Sequence, residues 1–272
     1  VILDLHFSIR DSPFQIRPPW RKIRVAVMGI HRSLFPLPLR ATPEGVVAVG
    51  GRPTPDILEE AYRRGIFPWP HEGVPLLWFC PDPRFVLPPR RAHLSRSLRK
   101  ELRRGRFEVA ADRDFPAVIR SCAAKERPDQ GGTWINREMI AGYTALHRQG
   151  LAHSIEARIE GKLVGGLYGV SLGGVFFGES MFADVADASK VCFATLLANL
   201  LEWDFHLVDC QQETRHLASF GAEPWPRTRF LGELRQALRT PTRRGAWTLD
   251  LGPAEAAETL ARTKSSGETD RP

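Results

Sequence analysis

Apolar and polar positions mark out a clear succession of elements along this chain of 272 residues. Residues 46–49 form a short apolar run stopped by Gly50-Gly51, the pattern of a strand. Thr54 as N-cap, Pro55 at the first helical position and Gly65 at the far end then bracket a helix. Residues 66–84 carry Pro68, Pro70, Pro75, Pro81 and Pro83, which predicts an ordered but mostly irregular connection. From His93 the pattern is α/β. A basic helix over 95–104 closes at Gly105, and a strand follows at 107–110. Helices are predicted over 115–124 and 136–149, the second between an Asn136 cap and a Gly150 stop. Three strand-like runs at 152–159, 162–170 and 174–182 are joined by Glu160-Gly161 and Ser171-Leu172-Gly173, connections short enough to make an antiparallel meander. A long amphipathic helix at 188–203, a strand at 206–211 and helices near 214–220 and 227–239 complete the series.

This order predicts an α+β protein in four parts. Residues 1–28 are a basic, poorly ordered extension, with a translation start at Met28 as the other reading of the same stretch. Residues 29–84 make a small N-terminal α/β domain. Residues 85–240 have the layout of an acetyltransferase-like (GNAT-type) domain, with a mostly antiparallel central sheet flanked by helices. Residues 241–272 are a tail whose last part, from Pro253, has the composition of a disordered segment.

Composition narrows the function class. With 38 basic against 31 acidic residues the formal charge is +7, which favours a polyanionic partner without demanding one. Cys80, Cys122, Cys192 and Cys210 are scattered and lack metal-ligand spacing. Neither a disulfide framework nor a metal site is expected, and a reducing, cytoplasmic setting fits. No apolar run reaches the roughly 18 residues of a membrane span.

The candidate chemistry lies on two strands. In Gly174-Val-Phe-Phe-Gly-Glu-Ser-Met181 every residue before Ser180 is apolar except Glu179, an acid expensive to bury ionised unless it meets a partner or a cavity. In Leu207-Val-Asp-Cys-Gln211, alternation places Asp209 and Gln211 on one face and Val208 and Cys210 on the other. A pair of solvated strand ends is the plain reading of these residues; a shared cleft is the sharper one. Phe176 and Glu179 are three apart, so both can line one cleft only if the strand bulges or ends near Gly178. His216 has no nucleophile at a sharp turn and reads as structural. Trp134 follows Gly131-Gly132 in a polar loop, as a lid over core or as a stacking platform for a base. On the basic helix, Leu98 and Leu102 form the apolar side. Arg96, Arg99, Lys100, Arg103 and Arg104 are left as a solvated face or a phosphate track.

A series of short strings, in order from about residue 45 to 235, resembles the leucyl/phenylalanyl-tRNA–protein transferases. They include Ala48-Val-Gly-Gly51, Ala61-Tyr-Arg-Arg-Gly-Ile-Phe-Pro-Trp69, Pro81-Asp-Pro-Arg84 and His93-Leu-Ser-Arg-Ser97. They continue through Gly132-Thr-Trp-Ile135, Ala152-His-Ser-Ile-Glu156, Val164-Gly-Gly-Leu-Tyr-Gly169, Phe177-Gly-Glu-Ser-Met-Phe182, Ala188-Ser-Lys190, Asp209-Cys-Gln211 and His216-Leu-Ala-Ser219. The resemblance implies transfer of Leu or Phe, less well Met, from aminoacyl-tRNA to proteins beginning with Arg or Lys, which marks them for degradation. It implies no cofactor and a monomer. By residue, it implies Glu179, Asp209 and Gln211 as the catalytic set. Leu167, Phe176, Leu196 and Val208 become the pocket for the donor side chain. Trp69, Trp134, Tyr62 and Tyr143 become contacts to the terminal adenosine and aminoacyl end, and the basic helix holds acceptor-stem phosphates.

The donor of such a reaction is an activated ester and the acceptor an α-amine with a pKa near 8, so positioning can supply much of the acceleration. Asp209 is expected to orient and polarise Gln211, whose carbonyl would accept a hydrogen bond from the amine. Glu179 or Asp209 would attract the acceptor's cationic side chain. Two alternatives stand beside this reading: a non-catalytic tRNA- or RNA-binding protein, and a tRNA-dependent transferase with altered acceptor specificity. A coenzyme A–dependent acetyltransferase is disfavoured, because the chain has no Arg/Gln-x-x-Gly-x-Gly/Ala pyrophosphate loop.

Overall fold

The computed structural model describes residues 34–71, 73–125 and 133–266, with side chains to residue 262. The expected extension at 1–28 and the Gly131-Gly132 part of the tryptophan loop lie outside these residues. The first unit holds β1 (Val46–Val49), α1 (Pro55–Arg63), β2 (Phe67–Trp69) and β3 (Leu77–Phe79), with the strands in an antiparallel sheet of order β1-β3-β2. The proline-rich connection is therefore more regular than its composition suggested. Pro68 is tolerated because β2 is an edge strand, where a missing N–H leaves no ladder bond unmade.

The second sheet has seven strands in the order β10-β4-β9-β8-β7-β6-β5. Its strands are β4 (Arg84–Leu87), β5 (Glu108–Ala111), β6 (Ala152–Ile159), β7 (Lys162–Leu172), β8 (Val175–Ala183), β9 (Leu207–Gln211) and β10 (Glu223–Trp225). All neighbours are antiparallel except β8 and β9, which run parallel across α5 (Ala188–Glu202). The α+β class and the mostly antiparallel sheet flanked by helices are thus as read from the sequence. The β7–β8 turn falls at Gly173-Gly174, slightly later than expected. Strands β4 and β10 were not foreseen, and Pro224 again lies on an edge strand.

Alternation on the central strands serves two cores. Tyr168, Val175, Phe177 and Leu207 pack toward α3 (Phe115–Ala124), α4 (Arg137–Arg148) and the first unit. Leu167, Phe176 and Val208 pack toward α2 (Arg96–Leu102) and α5. Helices α6 (Arg215–Ala218) and α7 (Arg227–Ala237) follow β9 and β10.

The tail corrects its expectation. Residues Pro253–Ser266 form α8, whose Ala256, Ala257 and Leu260 are buried against the α5 side of the core. Composition alone missed it because the stripe it buries is only two alanines and one leucine in an otherwise polar segment. The strap before it is pinned too: Trp247 stacks on His153 at 3.8 Å, and its backbone N–H donates to Asp112 Oδ2. The Asn199 side chain satisfies the backbone of Asp250 and Leu251. Among the described residues no helix is long and apolar enough to cross a membrane.

Candidate active site

Strands β8 and β9 pair only from Val175–Leu207 to Phe177–Asp209. Past that point they part, and a cavity of about 520 Å³ is lined by the residues that follow on both strands. Because it occupies a split in the sheet, residues from both faces reach it. Leu167, Phe176, Met181, Phe193 and Val208 form an apolar floor on the α5 side, and Phe67, Trp69 and Trp134 a wall on the other.

Two bulges shape the rim. Gly178 pairs with Gly169 and Ser180 with Tyr168, so Glu179 is the extra residue of β8. The bulge required for Phe176 and Glu179 to border one cleft is present. It also turns Met181 to the floor beside Leu167, five positions after Phe176. Gly169 lacks a side chain for good reason: a Cβ there would lie 2.3 Å from the Phe177 carbonyl oxygen and 2.5 Å from the Phe176 ring. On β9, Asp209 pairs with Val86 and Gln211 with Phe85, which makes Cys210 the extra residue. Gln211 follows in the left-handed region, at φ 61°.

Glu179 is held from three elements. Tyr62 of α1 lies 2.6 Å from Oε1, Tyr143 of α4 lies 2.7 Å from Oε2, and Gln211 Nε2 donates to Oε1 at 2.7 Å. The two phenolic oxygens are themselves 2.5 Å apart. Three short oxygen–oxygen contacts need three protons, and two hydroxyls supply only two. With Glu179 ionised, Tyr62 donates to Oε1 and Tyr143 to Oε2; once the carboxyl takes up a proton the ring can close, Glu179 then donating to Tyr143, Tyr143 to Tyr62, and Tyr62 back to Glu179. Burial works the same way, pushing Glu179 up to about 7, with the nearby Asp209 charge adding to it and the tyrosine and Gln211 hydrogen bonds opposing it. Burial and the Glu179 charge hold both tyrosines well above their usual range.

Asp209 is engaged elsewhere. Arg84 Nε and Nη2 donate to its two oxygens at 2.7 and 2.6 Å, and neither side chain exposes any surface. The guanidinium lies between the rings of Phe67 and Phe230, 4.7 and 4.6 Å from their centroids. Asp209 Oδ1 also accepts the backbone N–H of Gln211 at 2.9 Å.

Residues 86–235 match a family profile described as leucyl/phenylalanyl-tRNA protein transferase, and residues 51–82 match the profile of its N-terminal domain. A protein of that name from Myxococcus xanthus is 58% identical over 80% of this chain and 93% of its own length. One from Anaeromyxobacter sp. is 56% identical over 85% and 99%, and one from Nitrosospira multiformis 51% identical over 80% and 94%. The chain belongs to the leucyl/phenylalanyl-tRNA protein transferase family. A solved structure of L-PGS from Bacillus licheniformis is similar at a TM-score of 0.33 and 10% identity, over 78% of this chain and 71% of that one, too remote to bear on fold or function.

In this member of the leucyl/phenylalanyl-tRNA protein transferase family, Glu179, Gln211, Trp69, Trp134, Leu167, Phe176 and Val208 all border one cavity. Several expectations need correction. Tyr62 and Tyr143 are fully buried and spend their hydroxyls on Glu179, so they cannot be contacts to a nucleoside. Leu196 is buried inside the α5 side of the core; Phe193, three residues earlier, reaches the cavity instead. Asp209 meets the backbone of Gln211 and not its amide, and its ion pair with Arg84 leaves no oxygen open to a cationic acceptor. His216, read as structural, also borders the cavity, and burial pulls its pKa down. Reading the residues missed Arg84, Met181 and Phe193. The only signal for Arg84 was a cation heading the apolar run Phe85-Val-Leu87. On the basic helix Arg96 and Lys100 are exposed, whereas Arg103 and Arg104 already pair with Glu258 and Glu101.

Proposed function

We propose that this chain transfers Leu or Phe, and less readily Met, from aminoacyl-tRNA to the α-amine of proteins beginning with Arg or Lys, generating a degradation signal. The observation that carries the proposal is the cavity itself: an apolar floor, an aromatic wall, and an acid–amide pair at the rim between them. The floor suits a branched or aromatic donor side chain. Trp69 and Trp134 offer flat faces for the terminal base, each such stack contributing ~1–3 kcal/mol. The basic helix, led by Arg96 and Lys100, would take phosphates.

Glu179 carries the proton in this reading. An ordinary carboxylate is about four units too acidic to accept a proton from an α-ammonium with a pKa near 8. At about 7, Glu179 comes within roughly one unit of it. As the amine attacks the ester carbonyl, the C–N bond forms and the ammonium proton passes to the carboxylate. When the C–O bond to the ribose breaks, that proton is returned to the leaving oxygen. Gln211, its Nε2 bound to Glu179, turns its carbonyl end away from the acid, where it can accept from the incoming amine.

The test is transfer of labelled Leu from leucyl-tRNA to a protein with an exposed N-terminal Arg, beside the same protein beginning with Asp or Glu. Labelling of the Arg protein alone is expected. Labelling of the acidic one would mean another acceptor class, and binding of tRNA with no transfer at all would return the chain to a non-catalytic RNA-binding role.

A further inference from the structure

Among the described residues Arg84 is the most deeply buried arginine or lysine, and it reaches the reacting pair through Asp209. Two of its three guanidinium nitrogens are committed to Asp209, and aromatic rings cover it on both sides. We infer that Arg84 is a positioning residue for acyl transfer: by clamping Asp209 it fixes the backbone of Gln211, and through it the direction in which the amide meets Glu179. The inference rests on the aminoacyl-transfer reading and deepens it.

Asp209 borders the cavity yet exposes none of its surface, so it is not placed to exchange protons with a substrate. What it offers is Oδ1, which holds the Gln211 N–H. That bond matters because Gln211 is not where a strand residue would rest. It follows the Cys210 bulge in a left-handed conformation that a β-carbon disfavours, and relaxation to an extended conformation would carry the side chain away from Glu179. A carboxylate free to rotate could not hold it. The Arg84 fork removes that freedom, since Nε and Nη2 take both oxygens in one plane. Phe67 and Phe230 in turn fix the plane of the guanidinium. The clamp therefore runs from β2 and α7, through β4, to the one amide that touches the acid.

Lysine at this position would keep the charge but reach only one oxygen, and it could not lie flat between two rings. This separates positioning from simple charge neutralisation. Single-turnover transfer of Phe from phenylalanyl-tRNA to a peptide with N-terminal Arg would be measured for the wild type, Arg84→Lys, Gln211→Ala and the double variant. Donor affinity would be measured with an amide-linked aminoacyl-adenosine analogue. Arg84→Lys is expected to slow transfer on the order of 10- to 100-fold with donor affinity within about threefold. Because Arg84 acts through Gln211, adding Arg84→Lys to Gln211→Ala should slow the reaction no further. Independently of activity, hydrogen exchange at the Gln211 amide should speed up by at least about tenfold in Arg84→Lys, with that of Val208 unchanged.

A wild-type transfer rate in Arg84→Lys, a loss that multiplies with Gln211→Ala, or an unaltered Gln211 exchange rate would each overturn the inference. If Arg84→Lys does not fold, Arg84→Met with Asp209→Leu removes both buried charges together, and the same slow rate with intact donor affinity is expected; a normal rate overturns it. Failure of the wild type to transfer Phe would count against the transferase reading, whereas the exchange measurement decides the clamp separately.

Discussion

Replacing Glu179 with Gln should make the protein more stable at neutral pH, an unusual expectation for an active-site substitution. An amide reproduces the protonated ring: its Nε2 donates to Tyr143, Tyr143 to Tyr62, and Tyr62 and Gln211 both donate to its oxygen. It removes only the need to keep a charge in a buried place. The folded carboxyl titrates at about 7 against 4.5 unperturbed, and at about 1.36 kcal/mol per unit that is ~3 kcal/mol in favour of the protonated form. The direction follows from proton counting. Well below the unfolded value both states are protonated and nothing is lost. As the pH rises, the unfolded carboxyl ionises while the folded one keeps its proton, so wild-type stability falls. The loss is complete once the folded group has ionised as well, above about 7. Glu179→Gln lacks this loss. Its stability advantage should therefore widen by about 2 kcal/mol between roughly pH 5.5 and pH 8. Urea unfolding of both proteins at several pH values measures this directly. A gap that does not change with pH, or that shrinks as pH rises, would refute the protonated ring.

Three further outcomes are expected. Gly169→Ala should destabilise the fold by ~1–3 kcal/mol, read by thermal unfolding. It should also depress Phe transfer more than Leu transfer, because its β-carbon pushes the Phe176 ring toward the donor pocket. Leu260→Ala, deep under α8, should destabilise the protein by ~2–4 kcal/mol in the same measurement, whereas a disordered tail would show no change. Substituting Arg96 and Lys100 with Ala should flatten the dependence of tRNA affinity on log salt by roughly 0.7–0.9 per side chain. Arg103→Ala should do less, its guanidinium being already on Glu258.

How far these features could be read from the sequence depended on whether their cause was local. Glu179 stood out because one acid in an apolar run has few physical explanations, and Gly178 beside it signalled the bulge. The floor residues Phe176 and Val208 were named by the family resemblance, since strand periodicity alone put them on the face opposite the acids of their strands. Arg84 did not: its partner is 125 positions away, and a cation after Asp82-Pro83 looks like any exposed loop residue. Tyr62 and Tyr143 occupy ordinary core positions of two helices, and only docking of the first unit against the second sheet brings their hydroxyls together. The short strands β2 and β10 were hidden by prolines that edge positions permit. Helix α8 was hidden by a polar composition whose few alanines and one leucine were enough once α5 offered a surface.

The paired bulges at Glu179 and Cys210 have a consequence for how such an enzyme can diversify. In two regular strands, floor and rim would share one register, and any slip that resized the pocket would also move the acid and the amide. Here Phe176 and Val208 come before the irregularity in their strands, and Glu179 and Gln211 at or after it. Leu167, Phe176 and Val208 can then be exchanged for larger or smaller side chains while Glu179 and Gln211 stay where Tyr62, Tyr143 and Asp209 hold them. Donor selectivity and proton handling become separately adjustable properties of one short stretch of sheet.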